Sequence, residues 1–192
     1  MTYRTIGLVV LTWLASLTPT SHGAVSVFTG LDYEEWQIAA GPYVSVDFTG
    51  FSFGTFITTQ YQDLGVVFTD GNDYITGPDP LFPDDWGLAG NHSPIHMDFL
   101  TPQYSIGAHF IGIIAYQLFL DENLIYETQP LGVGPGVVGL VSDTPFDSAV
   151  FIDPLQGEFV TIDNLYCAPG IPAPSALPLL GGGLLAVRCR KR

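Results

Sequence analysis

Residues Ser105 to Leu120 read SIGAHFIGIIAYQLFL, and two structures compete for them. As a helix the run would reach about 24 Å and would have to be buried on every side. Gly107 and Gly112 argue against that, since a glycine inside a helix costs about 1 kcal/mol relative to alanine. Ile, Phe and Tyr lose rotamer freedom on a helix and suit a pleated, packed surface. The run therefore reads as one or two buried strands, and its neighbours are read from there.

On its C-terminal side, Asp121-Glu122-Asn123 is a turn, because short polar side chains bond the local backbone and Asn tolerates the left-handed region. Leu124 to Thr128 then pairs back as a hairpin. Gly132 to Gly139 is rich in glycine, but Val137 to Val141 is able to join a sheet. A turn at Asp143-Thr144-Pro145 precedes a strand at Ser148–Asp153. Pro154 to Gly157 turns again, and Phe159 to Tyr166 is the last strand. On the N-terminal side, Ile95 to Leu100 is a strand and Gly65 to Thr69 a short buried one. Val44, Val46 and Phe48 alternate with Ser45, Asp47 and Thr49, which predicts a half-buried strand with Asp47 facing out. Phe51 to Tyr61 is aromatic and rich in Thr. Asp32–Ala40 reads as one short helix. Asp70 to Asn91, with Pro78, Pro80 and Pro83, reads as the largest irregular region. About eight to ten strands separated by turns, with almost no helix, predict an all-β antiparallel sandwich over residues 24–168.

The charge is distributed unevenly. All 19 Asp and Glu lie between residues 24 and 175, and none of the five Lys and Arg do. A surface of one negative sign excludes nucleic acid and anionic membrane as long-range partners. It also rules out ion pairs with Lys or Arg inside the body. Its carboxylates must be solvated, be held by backbone N–H groups, or bind a cation. Cys167 is the one cysteine of the body, so no disulfide framework exists. It is expected to be a lone thiol at the domain edge or an attachment site.

The basic residues sit at the two ends. Residues 1–23 have the layout of a secretory signal peptide: Arg4, an apolar core from Ile6 to Leu17, then small Ser21 and Gly23 before a cut. Residues 169–192 hold Pro172, Ala173, Pro174 and Ser175, an apolar run from Ala176 to Val187, and the basic cluster Arg188, Arg190, Lys191 and Arg192. Ile171 to Val187 as a helix would span roughly 25 Å, short of the about 20 residues a comfortable crossing needs. Three prolines and Gly181 to Gly183 weaken it further. The tail reads as a transient membrane stop with its basic end on the cytoplasmic side.

That three-part tail resembles the PEP-CTERM sorting signal of Gram-negative bacteria that make exopolysaccharide, with Ala173 where the family motif has Glu. The resemblance implies export through the Sec translocon, recognition by an exosortase, and removal of the tail. The body is also similar to a domain of such proteins. The similarity is carried by Asp47-Phe48-Thr49-Gly50-Phe51, by Gln60-Tyr61 with Gly65 to Phe68, by the Leu118 to Tyr126 hairpin, and by Phe146-Asp147-Ser148 leading to Ile162-Asp163-Asn164-Leu165. It implies a jelly-roll-like sandwich and a setting in the cell envelope or extracellular matrix.

Candidate chemistry is sparse. Ca²⁺ takes six to eight oxygens, and two groups offer them. One is the loop of Asp70, Asn72 and Asp73, with Asp79, Asp84 and Asp85 nearby. The other joins Asp47 near the first strand to Asp163 and Asn164 near the last. The EF-hand spacing is absent, and Asp and Asn serving turn backbone is the competing explanation. His92, His96 and His109 form no zinc pattern, because Pro94 forbids a helix that would align the first two. No Gly-x-Ser-x-Gly elbow occurs, and among so many acids a chance carboxylate pair carries no signal for glycoside hydrolysis. Trp86, between Asp85 and Gly87, is the aromatic least easily buried and the best ligand platform. Tyr74, Phe82, Trp36 and Tyr43 follow it. The expected function is that of an exported, non-catalytic matrix protein associated with exopolysaccharide and needing no cofactor. A calcium-dependent carbohydrate-binding module and a secreted polysaccharide hydrolase are the alternatives.

Overall fold

The computed structural model describes residues 23–30, 33–77, 86–90, 93–132, 136–154 and 160–170. The expected signal peptide lies outside these residues except for Gly23. The whole sorting tail, including Pro172 to Ser175 and Arg188, Arg190, Lys191 and Arg192, also lies outside them. Among the described residues no helix is long and apolar enough to cross a membrane.

Ten strands and one short helix follow in order: β1 (Val25–Gly30), α1 (Tyr33–Ala40), β2 (Val44–Val46), β3 (Val66–Phe68), β4 (Asp73–Thr76), β5 (Gly87–Gly90), β6 (Ile95–Ile111), β7 (Ala115–Leu120), β8 (Asn123–Glu127), β9 (Gly136–Ile152) and β10 (Thr161–Ala168). Every strand pairing is antiparallel. The architecture is a jelly-roll-like β-sandwich, as the sequence predicts.

Its spine is the pair of 17-residue strands β6 and β9. They run side by side, and their ladder is irregular between Asp98 and Ser105. At that break the ribbon leaves one layer and enters the other. Past it, the C-terminal half of β6 pairs with β10, and the N-terminal half of β9 pairs with β1. β10 carries β2 and β5 on its far side, with β4 beyond β5. Before it, the N-terminal half of β6 pairs with β3, and the C-terminal half of β9 with β7, then β8. Irregular pairing of this kind bends a strand and raises its twist, which is how a strand turns a sandwich corner.

The layers share one core. Ile95, Met97 and Phe99 alternate inward on β6, and after the break Ile106, Ala108 and Phe110 do the same. Tyr116 on β7 spans the interior: its ring lies 4.3 Å from that of Phe151, and its hydroxyl donates to the Val138 carbonyl of the opposite layer at 3.0 Å. A buried tyrosine needs such a partner for its O–H.

The Ser105 to Leu120 run is two strand segments, separated at Gly112, whose φ of 95° is a conformation natural to glycine alone. The hairpin from Leu118 to Tyr126 forms as expected. Three expectations need correction. The supposedly irregular Asp70 to Asn91 holds the paired strands β4 and β5, because Ile75 and Leu88 are apolar enough to bury opposite each other. The turn at Asp143-Thr144-Pro145 is part of β9. There the ladder to β6 is shifted, so the missing N–H of Pro145 interrupts no regular pairing. β1 carries no legible signal in the sequence, since four of its six residues are exposed and its sheet partner lies more than a hundred positions on.

Candidate functional site

The outer face of the second layer is built from residues that alternate away from the core. Asp98 on β6 faces Ser148 on β9, which faces Phe119 on β7. One step along, His96 faces Val150, which faces Gln117, which faces Glu127 on β8. Each row crosses several strands, because directly opposed residues of an antiparallel ladder share a face. The rows floor an open cleft of about 290 Å³, which Thr69 and Glu122 also line. Glu122 is placed by the hairpin turn, where it and Asp121 have φ of 64° and 49°. Asp147 pins that turn by accepting the Asp121 N–H at 2.8 Å. Gln117 donates to Glu127 at 3.1 Å across the strands. The Asp98 carboxyl is pushed up by burial, then by the charge of Asp147, against the opposing pull of His96.

The result is a trough containing two carboxylates, an amide, an imidazole, two hydroxyls and one half-buried ring. Carboxylates and amides accept and donate paired hydrogen bonds, and an apolar ring beside them suits the C–H face of a sugar. Of these lining residues the sequence marks His96 as a candidate for chemistry, Glu122 as a turn residue and Ser148 only as the start of a strand and part of a family resemblance. The signal for the rest was present as outward-facing positions, but which outward face is concave depends on strands far apart in sequence.

The predicted metal residues separate into distinct environments. Asp47 is exposed and accepts the Thr49 N–H at 3.2 Å, the backbone role expected of a turn Asp. Asp163 is fully buried opposite His109. Asn164 is the extra residue of a bulge, with φ of 48°. Val46 pairs with Leu165, so the end of β2 comes to the bulge, yet Asp47 faces solvent while Asp163 does not. The other group draws together more closely. Asp70 accepts the Asn72 N–H at 2.9 Å and the Ser93 hydroxyl at 3.1 Å, while Asn72 itself is exposed. Asp73 is 0% exposed. Burial, then the charge of Asp70, pushes its carboxyl up to about 8. Among the described residues no set of three or more His, Cys, Asp or Glu side chains is arranged to hold a metal. Asp79, Asp84, Asp85, Phe82 and His92 lie outside the described residues.

The aromatic candidates are largely structural. Trp86 is half-buried and packs against the main core at the start of β5, so the platform expected there presents only part of its indole. Trp36 is 0% exposed. It is clamped between Tyr33 at 6.0 Å and Tyr43 at 5.6 Å, and donates to the Leu140 carbonyl at 3.2 Å. Burial, reinforced by Tyr166 and Tyr43, holds the Tyr33 hydroxyl well above the usual tyrosine range. His109 belongs to this cluster through Tyr166, 3.3 Å from its Nδ1. Cys167 is buried in the core, not at the domain edge, and burial pushes its thiol far up. A thiol so placed has no reactive thiolate. Phe53 and Phe56, at 66% and 54% exposure, are the aromatics that do face solvent. Phe56 meets the ring of Tyr74 at 6.4 Å.

No family model matches the chain, and no curated protein does. Among solved structures it is similar to a mutant family 29 carbohydrate-binding module, at 16% identity and a TM-score of 0.37, over 67% of this chain and 92% of the other. At that score nothing about ligand or site is carried across.

Proposed function

We propose that this protein is an exported, non-catalytic carbohydrate-binding sandwich whose ligand lies across the cleft of the second layer. The observation that carries the reading is the cleft itself: the polar groups of Asp98, His96, Gln117 and Ser148 converge beside Phe119 in about 290 Å³, a size suited to one or two sugar rings. The body's charge narrows the ligand. With 19 acids and no Lys or Arg between residues 24 and 175, an acidic polysaccharide would be repelled, so the ligand is a neutral glycan. The setting follows from the ends of the chain. The signal peptide directs Sec export, and an exosortase acts at Pro172 to Ser175 after a transient membrane stop. The mature body then resides in the envelope or matrix among exopolysaccharide.

The test is affinity electrophoresis and calorimetry of the purified protein against neutral and acidic polysaccharides. A neutral glycan is expected to bind with a dissociation constant of about 10–100 μM, and Gln117→Ala with Asp98→Ala to weaken it by about tenfold or more at an unchanged melting temperature. Binding unaffected by both changes would move the ligand elsewhere. Turnover of the glycan would make the protein a hydrolase. Mass spectrometry of the secreted protein reads both cleavages.

A further inference from the structure

Asp73 stands out among the acids. β4 alternates, and Asp73 shares the inward face with Ile75, which is 0% exposed. Its partner across the ladder is Gly90, just as Leu88 is the partner of Ile75. So a carboxyl group points into the sandwich at the end of β4. No N–H or hydroxyl donates to either of its oxygens, and the side chain that reaches it is another carboxyl, Asp70, close enough to share a proton with it. A buried carboxylate without such a donor costs several kcal/mol, and the body has no Lys or Arg to neutralise it.

What lies beside it is more oxygen. A Cβ on Gly90 would stand 2.2 Å from the backbone carbonyl oxygen of Ser93. That carbonyl therefore occupies the space where a side chain at 90 would be. Directly opposed residues on one face have Cβ positions about 5 Å apart, so the Ser93 carbonyl is a neighbour of the Asp73 carboxyl. The Ser93 hydroxyl binds Asp70, and Asp70 is close enough for its charge to act on Asp73. Two carboxylates and a carbonyl converge where a folded chain would ordinarily place a donor.

We infer that Asp73, Asp70 and the Ser93 carbonyl form a seat for a hard divalent cation of the Ca²⁺ type, which fastens Ser93 to the β4 end of the sandwich. Ca²⁺ accepts carboxylate and backbone oxygens in flexible geometry and completes its six to eight ligands with water. It supplies the positive charge that the sequence withholds. Mg²⁺, smaller and slower to shed water, fits such a seat less well.

The experiment is calorimetric titration of the full chain, purified after metal removal, with Ca²⁺ and separately with Mg²⁺. Melting curves run alongside at matched ionic strength. The expected result is a single Ca²⁺ site and a melting temperature raised by several degrees at about 1 mM Ca²⁺. Asp73→Asn is expected to abolish both the heat and the shift. Glu35→Gln, an exposed acid on α1 outside the site, is expected to retain them. Should Asp73→Asn fail to fold, Asp70→Asn is expected to weaken Ca²⁺ by about tenfold or more. No heat and no shift up to about 10 mM Ca²⁺ overturns the inference and leaves Asp73 as a protonated acid. A shift undiminished in the Asp73 or Asp70 variant also overturns it, as general screening of an acidic surface.

Discussion

A single carboxyl shows how burial changes a residue's part. Asp47, Asp70 and Asp147 all accept N–H groups in turns, which is what a sequence rich in Asp and poor in base suggests. Asp73 differs only because its strand turns it inward, and there its carboxyl rises from 3.8 to about 8. The sign of the effect on stability follows. The folded state keeps the proton over a range in which the unfolded chain has lost it. The contribution of Asp73 to stability is therefore fullest below about pH 4 and is lost as pH rises through about 8, if no cation is present. Urea midpoints in chelator are expected to fall across that window for the wild type, and to fall less for Asp73→Asn. An equal slope in both would show that another group titrates. The bond between Ser93 and Asp70 was illegible in the sequence, since 23 positions separate the partners and neither belongs to a motif.

At the scale of elements, α1 is held less by its own propensity than by what lies beneath it. Eight residues are too few for an isolated helix. The sheet below is bare where Gly107 on β6 opposes Gly139 on β9, and Trp36 lies in that gap. A Cβ on Gly139 would approach the indole to 2.3 Å, and one on Gly107 to 3.1 Å. Gly139→Ala is thus expected to lift α1 and cost about 1–3 kcal/mol, with Trp36 emission shifted to the red. Gly107→Ala is expected to cost less, because its neighbour need yield only a few tenths of an ångström. Denaturant melts followed by fluorescence compare the two directly, and equal costs would refute the slot. The helix was legible as Asp32–Ala40, whereas Gly107 reads in sequence only as a breaker of a rival helix and Gly139 only as the end of a glycine-rich stretch. That they form a seat depends on β6 and β9 lying side by side, which no local pattern states.

For the whole molecule, charge and topology govern different properties. With 19 acids and no Lys or Arg in the body, folding brings like charges together and nothing among them attracts. Screening should therefore stabilise it, with the melting temperature rising by a few degrees between about 10 mM and 500 mM NaCl. A flat or falling trend would mean that the carboxylates are already neutralised by bound cations or protons. The strands were readable because alternation along each one, as at Ile95 to Leu100, is written in consecutive residues. The hairpin at Asp121-Glu122 was readable because its turn lies between its own two strands. What the chain determines by itself is thus an all-strand body, its acidity, the turn chemistry and the composition of its two ends. Which outward face becomes the cleft, that Asp73 points inward toward Asp70 and the Ser93 carbonyl, and that Trp36 belongs to the core were decided by tertiary structure. The physical reason is the same in each case: the partners are joined by ladders between strands distant in sequence, and a ladder's register places side chains that local periodicity leaves free.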